Sequence, residues 1–557
     1  MGLENCISEK TQMKVVSETS SLVSQSYSSV PKYTEITAGL PEDFKEIKTL
    51  RDLLAINYKL VKVKDQLRQN LISKINSDSI KYPGIIGFDD DVVPALDRAI
   101  LSCQDIFLVG QIGQAKTKIV ETISKNLLSP IPIIKNSITN DCPMDLPENE
   151  LISLLEDKDL SSSSPKFYVS PESAEKIRDE KFDTPIEWIE GKDRYKYVLA
   201  TPDISVKDLV GYIDAVKVAK KGTEMYKIDS YSPGQLMQAK HGIFCIDELP
   251  VLDPRKQVSL LSVLQEGRFT TGSYPVIFEP KTAFFATANP IDYTHSGKVI
   301  EPLYDRLKSH IHTHYPKTLD AEMLIILQEA KISKSLIVST ILKTLARIVQ
   351  KARLSPEINQ EKGVSVRLGI HGLELLVGES ERTRALSHKI IPSPRLSDMH
   401  CLNQVAKFEL AERDDTIENR QKIFQDLIDE TIKETCLEYL GEQDASFLES
   451  IKLEFQGKSF QVSQQMIWKN GQVSYSSQLE SFTNLKNLIE SKLKQIQSEQ
   501  KLLLEKTKSY KVPSNSLLID DGKYDELQSV LTEIILEGLR NSNPKILERK
   551  DTGYVPV

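Results

Sequence analysis

The sequence predicts an α/β protein in which a parallel sheet flanked by helices precedes a helical lid and a mainly helical C-terminal extension. Three observations carry that expectation. The apolar run Ile106 to Val109 enters a glycine-bearing turn, which opens an amphipathic helix at Lys116-Thr117. Two further apolar runs follow, Ile243 to Ile246 ending in Asp247-Glu248 and Thr282 to Ala288 ending at Asn289-Pro290. Short apolar runs alternating with helical patterns are the signature of βαβ units and a parallel sheet. Beyond Pro316 the period changes, with Leu324, Leu327, Ile337, Ile341, Leu345 and Ile348 recurring at helical spacing.

In chain order, residues 1–43 are rich in Ser and Thr, including Ser24, Ser26, Ser28 and Ser29, and predict a disordered tail. Residues 44–318 are expected to form the α/β nucleotide-binding domain. It starts with charged helices from Phe44 to Ile75, a turn at Pro83-Gly84, and a helix carrying Val92, Val93, Leu96 and Ile100. Lys116 and Asp247 are 131 positions apart, far more than the roughly 30 residues of one βαβ unit, so an insertion at about 136–195 is expected. Its Ser161 to Ser164 run and acidic residues suggest a loop-rich excursion. Residues 319–405 predict the helical lid. Residues 406–557 predict a mainly helical region with a short β segment around Leu453 to Tyr475, turning at Asn470-Gly471. In its long helix Phe482, Leu485, Ile489, Leu493 and Ile496 form a seam suited to packing on the lid or to a coiled coil.

At 557 residues the chain exceeds a single core and should hold three or four units. Hydrophobic content of 40% and charged content of 27% are those of a soluble chain, and no run nears the ~18 apolar residues of a membrane helix. A net charge of −8 argues against non-specific nucleic-acid binding. The six cysteines (Cys6, Cys103, Cys142, Cys245, Cys401, Cys436) make no C-x-x-C pair, which points to a reducing, cytoplasmic compartment and no cysteine metal site. Met1-Gly2 is followed by Cys6 where a myristoylation signal prefers Ser or Thr, and no targeting signal is expected.

The chemistry concentrates in the three turns. In Gly110-Gln111-Ile112-Gly113-Gln114-Ala115-Lys116-Thr117, backbone N–H groups at a helix N-terminus can cradle phosphates. Lys116 can reach the β and γ phosphates of ATP, and the Thr117 hydroxyl can sit on Mg²⁺. Ala115 stands where such a loop has its last glycine, and its methyl should crowd the phosphates. Asp247 is placed to hold Mg²⁺ and Glu248 to polarise the attacking water. Asn289 is expected level with Glu248 on the neighbouring strand, where its amide can orient that water. Arg306 and Arg367 follow in an order that suits γ-phosphate charge, since guanidinium is always ionised and donates bidentately. His310, His312 and His314 alternate on one strand face, a spacing that fits surface or interface histidines better than metal ligands.

The ordered set GQIGQAKT, IFCIDE, FFATANP, LYDRL and SVR resembles the AAA+ ATPases, in particular the MoxR-like and magnesium-chelatase subunit I clade. The resemblance spans about 80–390 and includes Leu260 to Gly267 followed by a hairpin, Arg268 to Thr271 and Pro275 to Phe278, turning at Gly272-Ser273. It implies a P-loop core using ATP and Mg²⁺. Lys116, Thr117 and Asp247 would hold phosphate and metal, Glu248 would be the catalytic base, and Asn289 the sensor amide. Arg306 would be an arginine finger reaching a neighbouring subunit's ATP, and Arg367 the lid arginine. A finger acting across subunits implies a homo-oligomeric ring, a hexamer. The function so implied is a motor remodelling a protein client or adhesion-domain partner, or assisting metal or cofactor insertion. Three alternatives stay open: the ATPase subunit of a true magnesium or cobalt chelatase, a nucleotide-binding scaffold, and a DNA-directed or transcription-complex motor. The hairpin lacks the aromatic loop of sigma-54 activators, and the C-terminus shows no basic recognition helix.

Overall fold

The structure is a computed structural model, and it describes residues 33–34, 37–41, 43–156, 166–221, 230–269, 277–290, 298–386, 389–411, 415–462, 475–550 and 553–557. It divides into two compact units. The first takes in the described residues up to Gln111 together with Ala115–His314, and the second comprises Ile112–Gln114 with Tyr315–Val557.

The first unit is built on one parallel sheet. Its strands are β1 (Ile106–Val109), β2 (Tyr195–Leu199), β3 (Ile243–Asp247), β4 (Ala283–Ala288) and β5 (Ser309–His312), in the spatial order β5-β1-β4-β3-β2. β1 is apolar along its length, and β3 and β4 are apolar up to Asp247 and Thr287 at their C-terminal ends, because the sheet is covered on both faces. Alternation sorts their side chains. Phe107, Val109, Phe244, Ile246, Phe284 and Ala286 enter one core with Leu209, Leu236, Leu260 and Leu303. Ile106, Leu108, Ile243, Cys245, Ala283, Phe285 and Ile311 enter the other, against α1 (Val92–Leu101) and α2 (Lys116–Leu127), which contribute Leu96, Ile100, Ile119, Ile123 and Leu127. The two helices show the spacing expected from the sequence.

The segment between α2 and β2 is more ordered than a loop-rich excursion. Ile131–Ile134 and Ile186–Ile189 pair antiparallel, and helices Glu148–Leu155 and Pro171–Glu180 lie between them. Leu151, Leu154, Val169 and Ile177 form a core with Leu50, while Cys142 and Ile186 pack with Leu40, Ile47, Leu53 and Tyr58. The excursion therefore buries its apolar side chains on residues from ahead of the sheet. The Ser161 to Ser164 run and most of the expected N-terminal tail lie outside the described residues.

Buried charge ties this layer to the sheet. Arg194, 1% exposed, donates from Nε to the His241 carbonyl at 2.8 Å and from Nη1 to Gln66 Oε1 at 2.7 Å. Lys240 lies 3.4 Å from both Asp141 Oδ1 and Asp145 Oδ2, and Lys281 Nζ is 2.5 Å from Asp145 Oδ1. A buried charge survives only when it is paired, as Lys240 is, or has its hydrogen bonds met by neutral oxygens, as Arg194 has. Burial holds the Arg194 guanidinium down, to about 10, and the His241 imidazole down, to about 4, even though His241 Nε2 faces Asp145 Oδ2 at 3.3 Å.

The second unit is helical: α4 (Leu319–Glu329), α5 (Ser339–Leu354), α6 (Arg367–Ser380), α7 (Ile417–Leu440), α8 (Thr483–Ser509) and α9 (Tyr524–Asn541). α9 comes so close to α7 that a Cβ on Gly538 would lie 2.9 Å from the Cys436 carbonyl oxygen. In α8, Leu485, Ile489, Leu493 and Ile496 are buried within this unit, the packing alternative of the two the seam allowed. The β segment differs from expectation. Leu453 lies in helix Ala445–Glu454, and Phe460–Gln461 pairs with Gly553–Pro556, which pairs in turn with Leu547–Lys550. Asn470-Gly471 lies outside the described residues. Among the described residues no helix is long and apolar enough to cross a membrane.

Candidate active site

The turn after β1 places the first group of residues. Gly110 N–H donates to the Ala288 carbonyl at 3.0 Å, holding the start of the turn against the end of β4. Gly113 has φ +80°, a conformation glycine adopts at little cost. Ala115, the residue before α2, is also left-handed (φ 58°, ψ 17°), where an L side chain is strained. The missing glycine thus appears as backbone strain as well as an added methyl. Lys116 folds back over the turn, its Nζ donating to the carbonyls of Gly110 at 2.5 Å and Gln111 at 2.9 Å.

Strand parity supplies the second group. Cys245 and Phe285 face the core that holds α2, so Asp247 and Thr287, two residues further along, share that face at the C-terminal ends of β3 and β4. Thr117 Oγ1 donates to Asp247 Oδ2 at 3.4 Å, bringing the first turn of α2 to the end of β3. Tyr197 on β2 donates its hydroxyl to the same oxygen at 2.7 Å. Thr287 Oγ1 donates to Asp247 Oδ1 and accepts the Glu248 N–H at 3.0 Å. Partial burial, with the Asp247 carboxylate alongside, pushes the Tyr197 phenol well above its ordinary range, so it keeps its proton and acts as a donor. Glu248 leaves the strand left-handed at φ 57°.

The structure therefore brings Lys116, Thr117, Asp247 and Glu248 to one edge of the sheet. Asn289 is buried just past β4. Since Ile246 pairs with Ala286, the residue level with Glu248 is Ala288, and Asn289 lies one step further on than the sequence suggested. Arg306, in the helix α3 (Glu301–Arg306), donates to Gln265 Oε1 at 2.6 and 3.1 Å and to the Pro302 carbonyl at 2.6 Å, so its guanidinium is engaged by neutral oxygens of its own chain. Arg367 is exposed at the start of α6 in the second unit, its backbone N–H on Ser365 Oγ at 3.2 Å. Gln111, Ile112 and Gln114 complete the turn, with the Ile112 carbonyl accepting from Tyr315 at 2.9 Å. The histidines separate: His310 packs edge-on against Tyr304 and Phe107, and His314 lies 3.0 Å from Asp91.

Sequence reasoning missed Thr287 and Tyr197. The signal for Thr287 was present, since it is the one hydroxyl in an otherwise apolar strand and shares the parity of Asp247 once Ile243 is set opposite Ala283. Tyr197 gave no comparable signal, because β2 is a half-exposed edge strand whose register follows only from the fold.

Residues 186–307 match the AAA domain of the dynein-related subfamily. That segment begins beyond the glycine turn and contains Asp247, Glu248, Asn289 and Arg306. Over 135 residues the chain is 26% identical to the uncharacterized protein YeaC of Bacillus subtilis (strain 168), a match covering 24% of this chain and only 39% of that protein. Among solved structures it is similar to NtrX from Brucella abortus in complex with ATP, at 13% identity and a TM-score of 0.34 over 69% of this chain and 73% of that one. It is also similar to a chain of the complex between subunits BchI and BchD of magnesium chelatase, at 15% identity and a TM-score of 0.31 over 61% of this chain and 98% of that one.

Proposed function

We propose, taking residues 186–307 as an AAA domain, that the protein is a Mg²⁺-dependent ATPase that assembles into a homo-oligomeric ring, a hexamer, and remodels a protein partner. One observation carries the reading: the Thr117 hydroxyl and the Asp247 carboxylate meet 3.4 Å apart where α2 begins and β3 ends. A hydroxyl and a carboxylate are hard oxygen donors suited to Mg²⁺, and the adjacent helix N-terminus with Lys116 suits the phosphates the ion accompanies. The donor set therefore fits MgATP, with Thr117 and Asp247 holding the metal and the turn from Gly110 to Ala115 cradling the phosphates.

Bound there, Mg²⁺ would neutralise charge on the phosphate oxygens. The protein's own residues supply the rest. Lys116 exchanges the Gly110 and Gln111 carbonyls for phosphate oxygens, offsetting charge that builds at the leaving group. Glu248 takes a proton from the water that attacks the γ phosphate, and the Asn289 amide orients that water. We assign Arg306 to a neighbouring subunit's γ phosphate and Arg367 to the lid contact. The assignment of Arg306 is supported by its bonds to Gln265 and Pro302, which hold the guanidinium ready without committing it to a carboxylate.

The test is Mg²⁺-dependent ATP hydrolysis by purified protein across a concentration series, with Lys116→Ala as control. Turnover per subunit that rises with concentration and vanishes in the control supports a ring motor. Nucleotide binding with no turnover at any concentration would replace it with the scaffold reading, for which the strained Ala115 is the specific argument.

A further inference from the structure

We infer that Thr287 is a positioning residue that locks the metal-holding Asp247 and the water-activating Glu248 into one unit, an inference that rests on the ATPase reading. The side chain is fully buried, so its hydroxyl has no water to turn to. It spends its donor on Asp247 Oδ1 and accepts from the Glu248 N–H at 3.0 Å. Those two bonds do different jobs. The first fixes the rotation of the Asp247 carboxylate, leaving Oδ2 to Thr117 and Tyr197. The second gives a partner to a backbone N–H that β3 can no longer satisfy, because Glu248 has turned out of the strand at φ 57°. A glutamate in that conformation is strained, and such strain persists only where its surroundings over-determine it. Thr287 supplies that determination from the neighbouring strand.

The geometry follows from strand pairing. Ile243 to Ile246 run level with Ala283 to Ala286, so the next pair on the shared face is Asp247 and Thr287. A valine at 287 would have the same shape and the same β propensity, and the strand is otherwise apolar. The hydroxyl is therefore the feature that needs explaining, and the two carboxylate-bearing residues account for both of its bonds.

Thr287→Val removes the hydroxyl while keeping the volume, and Thr287→Ser keeps the hydroxyl. Two readouts are used: the ratio of ADP affinities with and without Mg²⁺, which needs no turnover, and kcat against KM for ATP. The inference expects Thr287→Val to reduce the Mg²⁺-dependent gain in ADP affinity by about tenfold and kcat by about 10- to 100-fold, the range for a lost bond to a charged group. Affinity for ADP without Mg²⁺ should change little, the thermal midpoint should fall by a few degrees because the Glu248 N–H loses its acceptor, and Thr287→Ser should recover the Mg²⁺ gain and kcat to within about threefold of the parent. Thr287→Val matching the parent in both Mg²⁺ gain and kcat would overturn the inference while leaving the ATPase reading intact. Equal losses in Thr287→Val and Thr287→Ser would also overturn it, because packing would then be the cause. A parent protein whose nucleotide affinity ignores Mg²⁺ would fail the ATPase reading itself, and this inference with it.

Discussion

His241 lets a stability change be worked out in advance. It enters β3 at φ 57°, is 3% exposed, and burial depresses its imidazole to about 4 against an ordinary 6.5. The groups facing it are Asp145, Lys240 and Lys281, and the two lysines reinforce the depression. The folded protein therefore keeps His241 neutral between about pH 4 and 6.5 while the unfolded chain takes up a proton, so stability falls as pH falls through that window. A gap of about 2.5 units corresponds to about 3 kcal/mol in all, and about 2 kcal/mol of it is lost between pH 7 and 5. Asp141 and Asp145 have folded-state values held below the carboxylate range, so they are ionised in both states over this interval and contribute no slope. The assay is urea unfolding followed by Trp188 fluorescence in a Trp468→Phe background, since Trp188 lies in the unit that contains His241. His241→Asn tolerates the left-handed backbone and does not titrate, so its loss between pH 7 and 5 should be smaller than the parent's by about 2 kcal/mol. Equal losses in parent and variant would refute the reasoning.

Three further outcomes are expected. Glu248→Gln should retain ATP binding within a few-fold while turnover falls by about 100-fold or more, as when a positioned base is removed; equilibrium binding and single-turnover kinetics separate the two. Arg306→Ala should be inactive alone yet regain partial turnover when mixed with Glu248→Gln, because each can complete the other's interface site; no recovery in mixtures shown to co-assemble would reject action across subunits. Ala115→Gly relieves about 1–2 kcal/mol of left-handed strain and gives back about 0.4–1 kcal/mol of unfolded-chain entropy, so the thermal midpoint should rise slightly and ADP should bind more tightly.

The sheet was legible because parallel strands buried on both faces must be continuous apolar runs, and Ile106 to Val109, Ile243 to Ile246 and Ala283 to Ala286 are such runs. The helical character of the chain beyond Pro316 was legible for the complementary reason that its buried positions recur at helical spacing. Other features depended on distance along the chain. The layer between α2 and β2 read as loop because part of its core, Leu50 and Leu53, comes from far upstream. Lys240 and Asp141 pair across 99 residues, and no local pattern announces that. Within the site, Lys116, Thr117 and the Asp247-Glu248 pair stand out by residue type and position. Register was the missing variable for Thr287, and assuming strands of equal reach set Asn289 one residue too low.

The two ends of the excursion between α2 and β2 are zipped together, Ile131 to Ile189 and Ile134 to Ile186. The chain thus leaves the parallel-sheet layer and returns to it through one narrow gate. Because the strand pair already holds the two ends together, the closure cost of the segment between them is met at the neck, and its ion pairs to Lys240 and Lys281 and its packing on Leu50 and Leu53 fix it further. Such a layout sets the excursion apart along the chain from α2, which carries Lys116, and from the strands that carry Asp247 and Thr287.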